Sequence, residues 1–225
     1  MNEKFVIAID GPAASGKSTT AKQLAIKLKY IYIDTGAMYR ASGLCTLLQN
    51  ISLDDKIALK EMLDKISIRI EYAEEGNRIY LNTEDVSERI READITKLSS
   101  QIAVIEIVRN KMVELQRKMG EDGGVIMDGR DIGTVVFPNA DFKFFMIADV
   151  RTRALRRWNE AKDNGEVIPL EDIKEELIWR DKNDTTREIS PLKQADDAIP
   201  IDTSKMTIEE QVEMIYSIIK RGLNA

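Results

Sequence analysis

Gly11-Pro12-Ala13-Ala14-Ser15-Gly16-Lys17-Ser18-Thr19 is the stretch around which the rest of the chain is organised. An apolar run of β type, Phe5-Val6-Ile7-Ala8-Ile9, closes on Asp10 just before it. Just after it, Ala21, Leu24, Ala25 and Leu28 recur at helical spacing and predict a helix over residues 17–28. The order is strand, glycine loop, helix. The loop fits Gly-x-x-x-x-Gly-Lys-Ser/Thr without a mismatch, and each position has a physical task. Glycines let backbone N–H groups curl round a polyphosphate, and the helix N-terminus adds its positive dipole end. Lys17 then reaches the β- and γ-phosphates, and the Ser18 hydroxyl is available to Mg2+.

The composition narrows what chemistry can accompany such a loop. The chain of 225 residues, 43% hydrophobic and 32% charged, suits one large domain or a domain with inserts, and no apolar run approaches a membrane span. No basic-then-apolar leader precedes the first strand, so a cytoplasmic protein is expected. Cys45 is the single cysteine and suits a small buried hydrophobe on a helix, which excludes an internal disulfide or a thiol cluster for metal. Histidine is absent altogether, excluding imidazole bases and His metal sites. Catalysis must therefore run on Lys, Arg, Asp, hydroxyls and a hard cation. A net charge of -6 argues against a general nucleic-acid binder.

Further along, Tyr30-Ile31-Tyr32-Ile33 predicts a second strand ending at Asp34, followed by Thr35-Gly36-Ala37-Met38-Tyr39-Arg40. The ends of neighbouring parallel strands face one crevice, which puts Asp34 and Thr35 near the transferred phosphate, although Asp34 also suits a helix cap. Helices are predicted over 36–49 and 54–66. Ser67–Tyr72 and Arg78–Asn82 alternate polar and apolar around a Glu74-Glu75-Gly76-Asn77 turn, an antiparallel hairpin within a small insert over residues 63–95. One helix is then expected from near Asp94 to Gly120, carrying Ser99, Ser100 and Arg109. Val125-Ile126-Met127-Asp128 is the third strand of the main sheet, and its terminal Asp128 sits where a carboxylate holds Mg2+ through water. Phe142–Ala148 and Ala198–Asp202 are the fourth and fifth strands, the last at an edge because Pro200 cannot donate to a central ladder. Between them, Arg151, Arg153, Arg156 and Arg157 crowd one helix, and Arg180, Asp184 and Arg187 share a face of the next at i, i+4 and i+7. The final helix opens on a Thr207/Glu210 capping box with Ile208, Val212, Ile215 and Ile219 facing the core.

Four segments taken together resemble the bacterial cytidylate kinases, P-loop nucleoside monophosphate kinases, over essentially the full chain: the glycine loop, Asp34–Arg40, Asp128-Gly129-Arg130-Asp131-Ile132-Gly133-Thr134-Val135-Val136-Phe137-Pro138, and Arg180-Asp181-x-x-Asp184-x-x-Arg187 with Ser190-Pro191-Leu192. The resemblance implies an α/β fold: a kinase core with a five-stranded parallel sheet (1–62, 96–150, 188–225), an acceptor-binding antiparallel insert (63–95) and a helical lid (151–187). It implies γ-phosphoryl transfer from ATP·Mg2+ to CMP or dCMP. Apart from the resemblance, a monomer is the default expectation, and the net charge and the absence of a long apolar run predict no nucleic-acid or membrane partner. By the same resemblance Ser100, Arg109 and Asp131 read the cytosine edge, while Arg40, Arg130 and Arg180 hold the acceptor phosphate. Asp184 and Thr35 meet the ribose or the phosphate, with Arg187 close by. Arg153, Arg156 and Arg157 join Gly11 to Thr19 on the ATP phosphates. The catalytic set is Lys17, Arg130, Asp131, Arg180 and Arg187, and the Mg2+ set is Ser18 with Asp34 and Asp128 through water.

Two departures from the family pattern stand out. Thr35 stands where serine is also common, and little is expected to depend on Ala13-Ala14-Ser15, where the backbone does the binding. Phosphoryl transfer suits a chain without histidine: a phosphate monoester is largely a dianion at cellular pH and needs no general base. A kinase for another acceptor, such as UMP, AMP, GMP or shikimate, is the alternative within the class, and a nucleotide-dependent switch the alternative outside it. Against the switch, the chain has no Asn-Lys-x-Asp tetrad for guanine.

Overall fold

The computed structural model describes residues 4–71 and 77–223. In chain order the elements are β1 (Val6–Asp10), α1 (Lys17–Leu28), β2 (Ile31–Asp34), α2 (Thr35–Leu48), α3 (Lys56–Lys65), β3 (Ile68–Glu71), β4 (Arg78–Leu81) and β5 (Glu84–Asp85). A 3-10 turn (Arg89–Arg91) leads to α4 (Ala93–Ile102), α5 (Glu106–Met119) and β6 (Val125–Gly129). A π-helical turn (Ile132–Val136), β7 (Phe142–Ile147), α6 (Val150–Asp163), α7 (Leu170–Thr186), β8 (Ile199–Asp202) and α8 (Ile208–Leu223) complete the chain. Within the hairpin, the expected Glu74-Glu75-Gly76 turn lies outside the described residues.

Five strands form one parallel sheet in the order β2-β6-β1-β7-β8, and three form an antiparallel sheet in the order β3-β4-β5. Pro200 does lie on an edge strand, as its missing N–H requires. Continuous apolar runs suit the centre of a sheet covered on both faces, and Ile7, Ala8, Ile9, Ile126 and Met127 are fully buried there. The register sets up the site: Ile9 lies opposite Asp128, and Asp10 opposite Gly129 on one side and Phe145 on the other. The loops leaving β1 and β6 therefore start side by side.

The chain divides into two compact units, Met1–Tyr30 with Gly123–Ala225, and Ile31–Asp122. In the first, α1 packs against α8, whose Val212, Ile215 and Ile219 are buried. The capping box forms as expected, the Thr207 N–H donating to Glu210 Oε2 at 2.8 Å and the Glu210 N–H to Thr207 Oγ1 at 3.2 Å. Helices α6 and α7 pack on each other around Ala154, Ile173 and Leu177, with Ala13 of the glycine loop as a fourth buried member. In the second unit, Gly43 of α2 faces Leu98 of α4 so closely that a Cβ would come within 3.3 Å of it, and α3 packs on α5. Cys45 is buried on α2.

The single helix expected from Asp94 to Gly120 is two helices. Continuation through residues 103–105 would have Ile107 N–H donate to the Ala103 carbonyl, which instead accepts from Arg109 Nη1 at 2.9 Å. Val104 and Ile105, both β-branched, lower the cost of breaking there. Glu84–Asp85 adds a third strand that its composition does not announce. None of the helices among the described residues is long and apolar enough to cross a membrane.

Candidate active site

Between β1 and α1, the carbonyls of residues 12–16 all have hydrogen-bond partners. Pro12 O accepts from Ser15 Oγ at 3.0 Å and Lys17 Nζ at 2.6 Å, Ala13 O from Arg153 Nη1 at 3.2 Å, and Ala14 O from Arg156 Nη1 at 3.4 Å. Ser15 O accepts from Thr203 Oγ1 at 2.8 Å and Gly16 O from the Thr20 N–H at 3.0 Å. Across a trans peptide C=O and N–H point opposite ways, so the carbonyls held by Arg153, Arg156 and Thr203 turn the N–H groups that follow them the other way, where an anion can take them. Glycine is required at both ends. Gly11 has φ +148, and a Cβ there would sit 2.0 Å from the Met146 carbonyl oxygen. Gly16 has φ +92, with Gln211 Oε1 2.8 Å from its would-be Cβ. That buried amide also accepts from Thr20 Oγ1 at 2.7 Å, tying α8 to the loop.

Lys17 is buried at the start of α1. Burial, with the Arg130 guanidinium beside it, lowers its ammonium to about 7 against the pull of Asp128, Asp10 and Asp184. A nucleotide polyphosphate would reverse that balance and favour the charged lysine. Ser18 Oγ donates to Asp128 Oδ2 at 2.8 Å, placing a hydroxyl and a carboxylate together at the ends of α1 and β6. Two hard oxygen donors suit Mg2+, which keeps several waters and takes its other ligands from substrate phosphates. No group of three or more His, Cys, Asp or Glu side chains that could hold a metal ion occurs among the described residues. Thr19 is exposed on the first turn of α1.

Arg130 follows β6, and its Nε donates to Asp184 Oδ2 of α7 at 2.7 Å. Arg187, the C-cap residue of α7, brings Nη1 to 3.7 Å from Asp184 Oδ1 while its Nε donates to Ser190 O at 2.6 Å. Burial works against ionisation of Asp184, yet Arg130, Arg187 and Arg180 outweigh it and hold the carboxyl below the usual range. The expected face of Arg180, Asp184 and Arg187 thus acts as one charged group with Arg130. Asp131 is buried at the N-cap of the π-helical turn but makes no capping bond.

Asp10 makes that cap instead, and sequence reasoning treated it only as the end of a strand. Its two carboxylate oxygens accept from the Ile132 N–H at 2.8 Å and the Gly133 N–H at 2.7 Å. Burial raises its pKa to about 6 despite these bonds. The far end of the same segment is held by Lys143, whose buried ammonium donates to Pro138 O and to Asp197 at 2.7 and 2.9 Å. An acid in register with the Asp128-Gly129 step was the one available signal.

Of the three arginines expected on ATP, two lie behind the loop. Arg153 is buried and donates to Ala13 O, to Ala148 O at 3.0 Å and, through both terminal nitrogens, to Asp181 at 3.0 and 2.5 Å. Arg156 donates to Ala14 O and to Thr203 O at 2.6 Å. Arg157 points away and pairs with Glu160 at 3.1 Å, both side chains exposed. The expectation that little depends on Ala13 needs correction: its methyl belongs to the α6–α7 core, where a larger side chain would overfill a packed site.

Within the second unit, Asp34 is the N-cap of α2, Oδ1 accepting from the Ala37 N–H at 2.9 Å, and Oδ2 pairs with Arg40 Nη2 at 3.0 Å. Asp34 does cap α2, and its second oxygen orients Arg40. Thr35 is buried in the first turn. Ser100 is half-buried near the end of α4. Arg109 of α5, 1% exposed, lies with its guanidinium carbon 5.4 Å from the Tyr39 ring centre, a cation-π contact.

A family model described as cytidylate kinase matches residues 7–221. A cytidylate kinase of Chloroherpeton thalassium is 48% identical over 97% of this chain and 94% of its own length. One of Bacillus cereus is 48% identical over 97% of each, and one of Bacillus cytotoxicus 47% identical over 99% of each. Among solved structures, a shikimate kinase from Acinetobacter baumannii in complex with shikimate aligns with a TM-score of 0.51 at 12% identity, covering 97% of this chain and 94% of that one. An uncharacterized protein from Eubacterium ventriosum aligns with a TM-score of 0.52 at 17% identity over 97% and 99%. These two likenesses show a shared fold and nothing finer. Identity near one half along almost the whole length, on a chain whose phosphate loop and arginine cluster are already in place, makes this chain a member of the cytidylate kinase family.

Proposed function

We propose that the chain transfers the γ-phosphoryl group of ATP to CMP or dCMP, giving ADP and CDP or dCDP. The observation that carries this reading is the meeting of Lys17, Arg130, Asp184 and the Ser18–Asp128 pair at the ends of β1, β6 and α7. Residues 11–19 hold the ATP phosphates through backbone N–H groups at every position but Pro12, which has none, and Lys17 recovers its full charge as the phosphates arrive. Ser18 and Asp128 would hold Mg2+, Asp128 through water, and the ion would supply neutralisation of phosphate charge. Asp34, engaged by the α2 cap and Arg40, acts on the metal at most through water.

On the acceptor side, Arg40, Arg130 and Arg180 take the phosphate, with Arg187 steadying Asp184, and Thr35 and Asp184 meet the sugar. Ser100 and Arg109 donate to cytosine O2 and N3, and Asp131 accepts from the N4 amino group. The acceptor arrives as a dianion, so no residue removes a proton; the arginines and Lys17 offset the charge that would otherwise keep the two phosphates apart. Residues 63–95 form the acceptor-binding insert and 151–187 the lid, whose closure excludes water that would otherwise hydrolyse ATP. The reading takes the protein as a cytoplasmic monomer.

ADP release from ATP·Mg2+ against CMP, dCMP, UMP, AMP, GMP and no acceptor tests it. Fast turnover with CMP and dCMP alone is expected. Failure of every acceptor while ATP still bound would leave the phosphate loop and remove the acceptor assignment.

A further inference from the structure

Asp181 has no part in any step above, yet it grips the guanidinium that grips the loop. Both oxygens of Asp181 accept from Arg153, whose Nη1 also donates to the Ala13 carbonyl. Alongside, the Ala13 methyl is buried between Ala154, Ile173 and Leu177, and Ala14 packs against the same group. Thr203, itself fully buried, donates to the Ser15 carbonyl and accepts from Arg156 Nη1 at 3.2 Å. Three consecutive loop carbonyls are thus fixed from α6 and from the segment after β8, while two loop side chains are seated in the α6–α7 core.

We propose that Asp181, through Arg153, and Thr203, directly, are positioning residues for nucleotide phosphate: they set the orientation of the loop peptides and so the aim of the amides. This rests on the reading that the loop binds nucleotide. A loop whose peptides rock presents its N–H groups part of the time, and its affinity for polyphosphate falls by that fraction. The pairing also couples α6 and α7 mechanically to the loop. Whatever shifts these helices tilts the peptide planes that hold ATP.

The idea has a sign that separates it from direct binding. If Arg153 met ATP itself, removing Asp181 would release a competing anion, and nucleotide affinity would stay or rise. As a positioning pair, Asp181→Asn weakens ADP·Mg2+ binding about tenfold, the weight of one or two hydrogen bonds. The KM for ATP rises in step, with the KM for CMP unchanged and kcat within about threefold. Arg153→Lys weakens binding by a similar factor, and the double variant is no weaker than Arg153→Lys alone, because both act through one contact. Thr203→Val, which keeps shape and removes the hydroxyl, gives a smaller loss that Thr203→Ser restores, so the test survives if Asp181→Asn fails to fold.

Calorimetry of ADP·Mg2+ binding to the full chain is the measurement. Unchanged or tighter binding in Asp181→Asn, additive losses in the double variant, or no loss in Thr203→Val would each overturn the proposal. A lowered melting temperature with undiminished affinity would do so too, since that is a structural role alone. Wild-type protein that bound no ADP·Mg2+ would instead overturn the phosphate-loop reading and this proposal with it.

Discussion

The phosphate loop and the Tyr39–Arg109 corner are both built around charge, but one works with backbone and the other with side chains. In the loop, glycines at positive φ and a set of engaged carbonyls leave the amides aimed, and only Lys17 contributes a charged side chain. In the second unit, a buried guanidinium is held by the Ala103 carbonyl and an aromatic face. Backbone recognition suits a ligand part common to every nucleotide. Side-chain recognition suits the part that differs, because its donors can be exchanged without refolding the chain.

Lys17→Ala sharpens that contrast most. Loss of the single charged side chain in a backbone site is expected to lower kcat about a thousandfold, the upper scale of one transition-state stabiliser. The melting temperature is expected to hold, since burial already disfavours the ammonium. Steady-state kinetics with a thermal melt checks both. Next, Arg109→Met is expected to cut kcat/KM for CMP by ten- to a hundredfold, roughly the 1.5–3 kcal/mol of a charged hydrogen bond, leaving the KM for ATP alone. Equal losses for both substrates would break the division of labour.

Asp10→Asn has a smaller effect with a sign in pH. The folded pKa of Asp10, about 6, lies above its ordinary 3.8, so its contribution to stability is full below 3.8 and is lost as pH rises through 6. The variant lacks this term. Urea unfolding is therefore expected to favour the wild type most near pH 4 and least at pH 7; an equal gap at the two values would count against a buried, titrating carboxylate. Smallest of all, Arg157→Ala is expected to leave ATP turnover within about twofold and stability within about 0.5 kcal/mol, as for other exposed ion pairs. A large loss in turnover would mean that Arg157 swings inward when nucleotide binds.

The same contrast explains what was legible in the sequence. Glycine spacing, a capping box and an edge proline are local patterns, so β1, α1, the opening of α8 and the place of β8 followed from the residues alone. The Arg153–Asp181 pair joins two helices, and the Asp10 cap joins residues more than a hundred positions apart; no local pattern announces either. The helix break at 103–105 escaped for a related reason. An arginine six residues downstream takes the carbonyl that the helix would have used, which is a matter of packing and not of propensity. The assignment of Ser100 and Arg109 to the cytosine edge comes from the family resemblance, since nothing in their spacing names cytosine.

Pro200 has a consequence at higher concentration. Along an edge strand only every second N–H faces outward, and β8 is four residues long. With a proline among those four, the rim has little with which to recruit a strand from a second molecule, and sheet-to-sheet growth into aggregates is blocked at that border by a missing hydrogen.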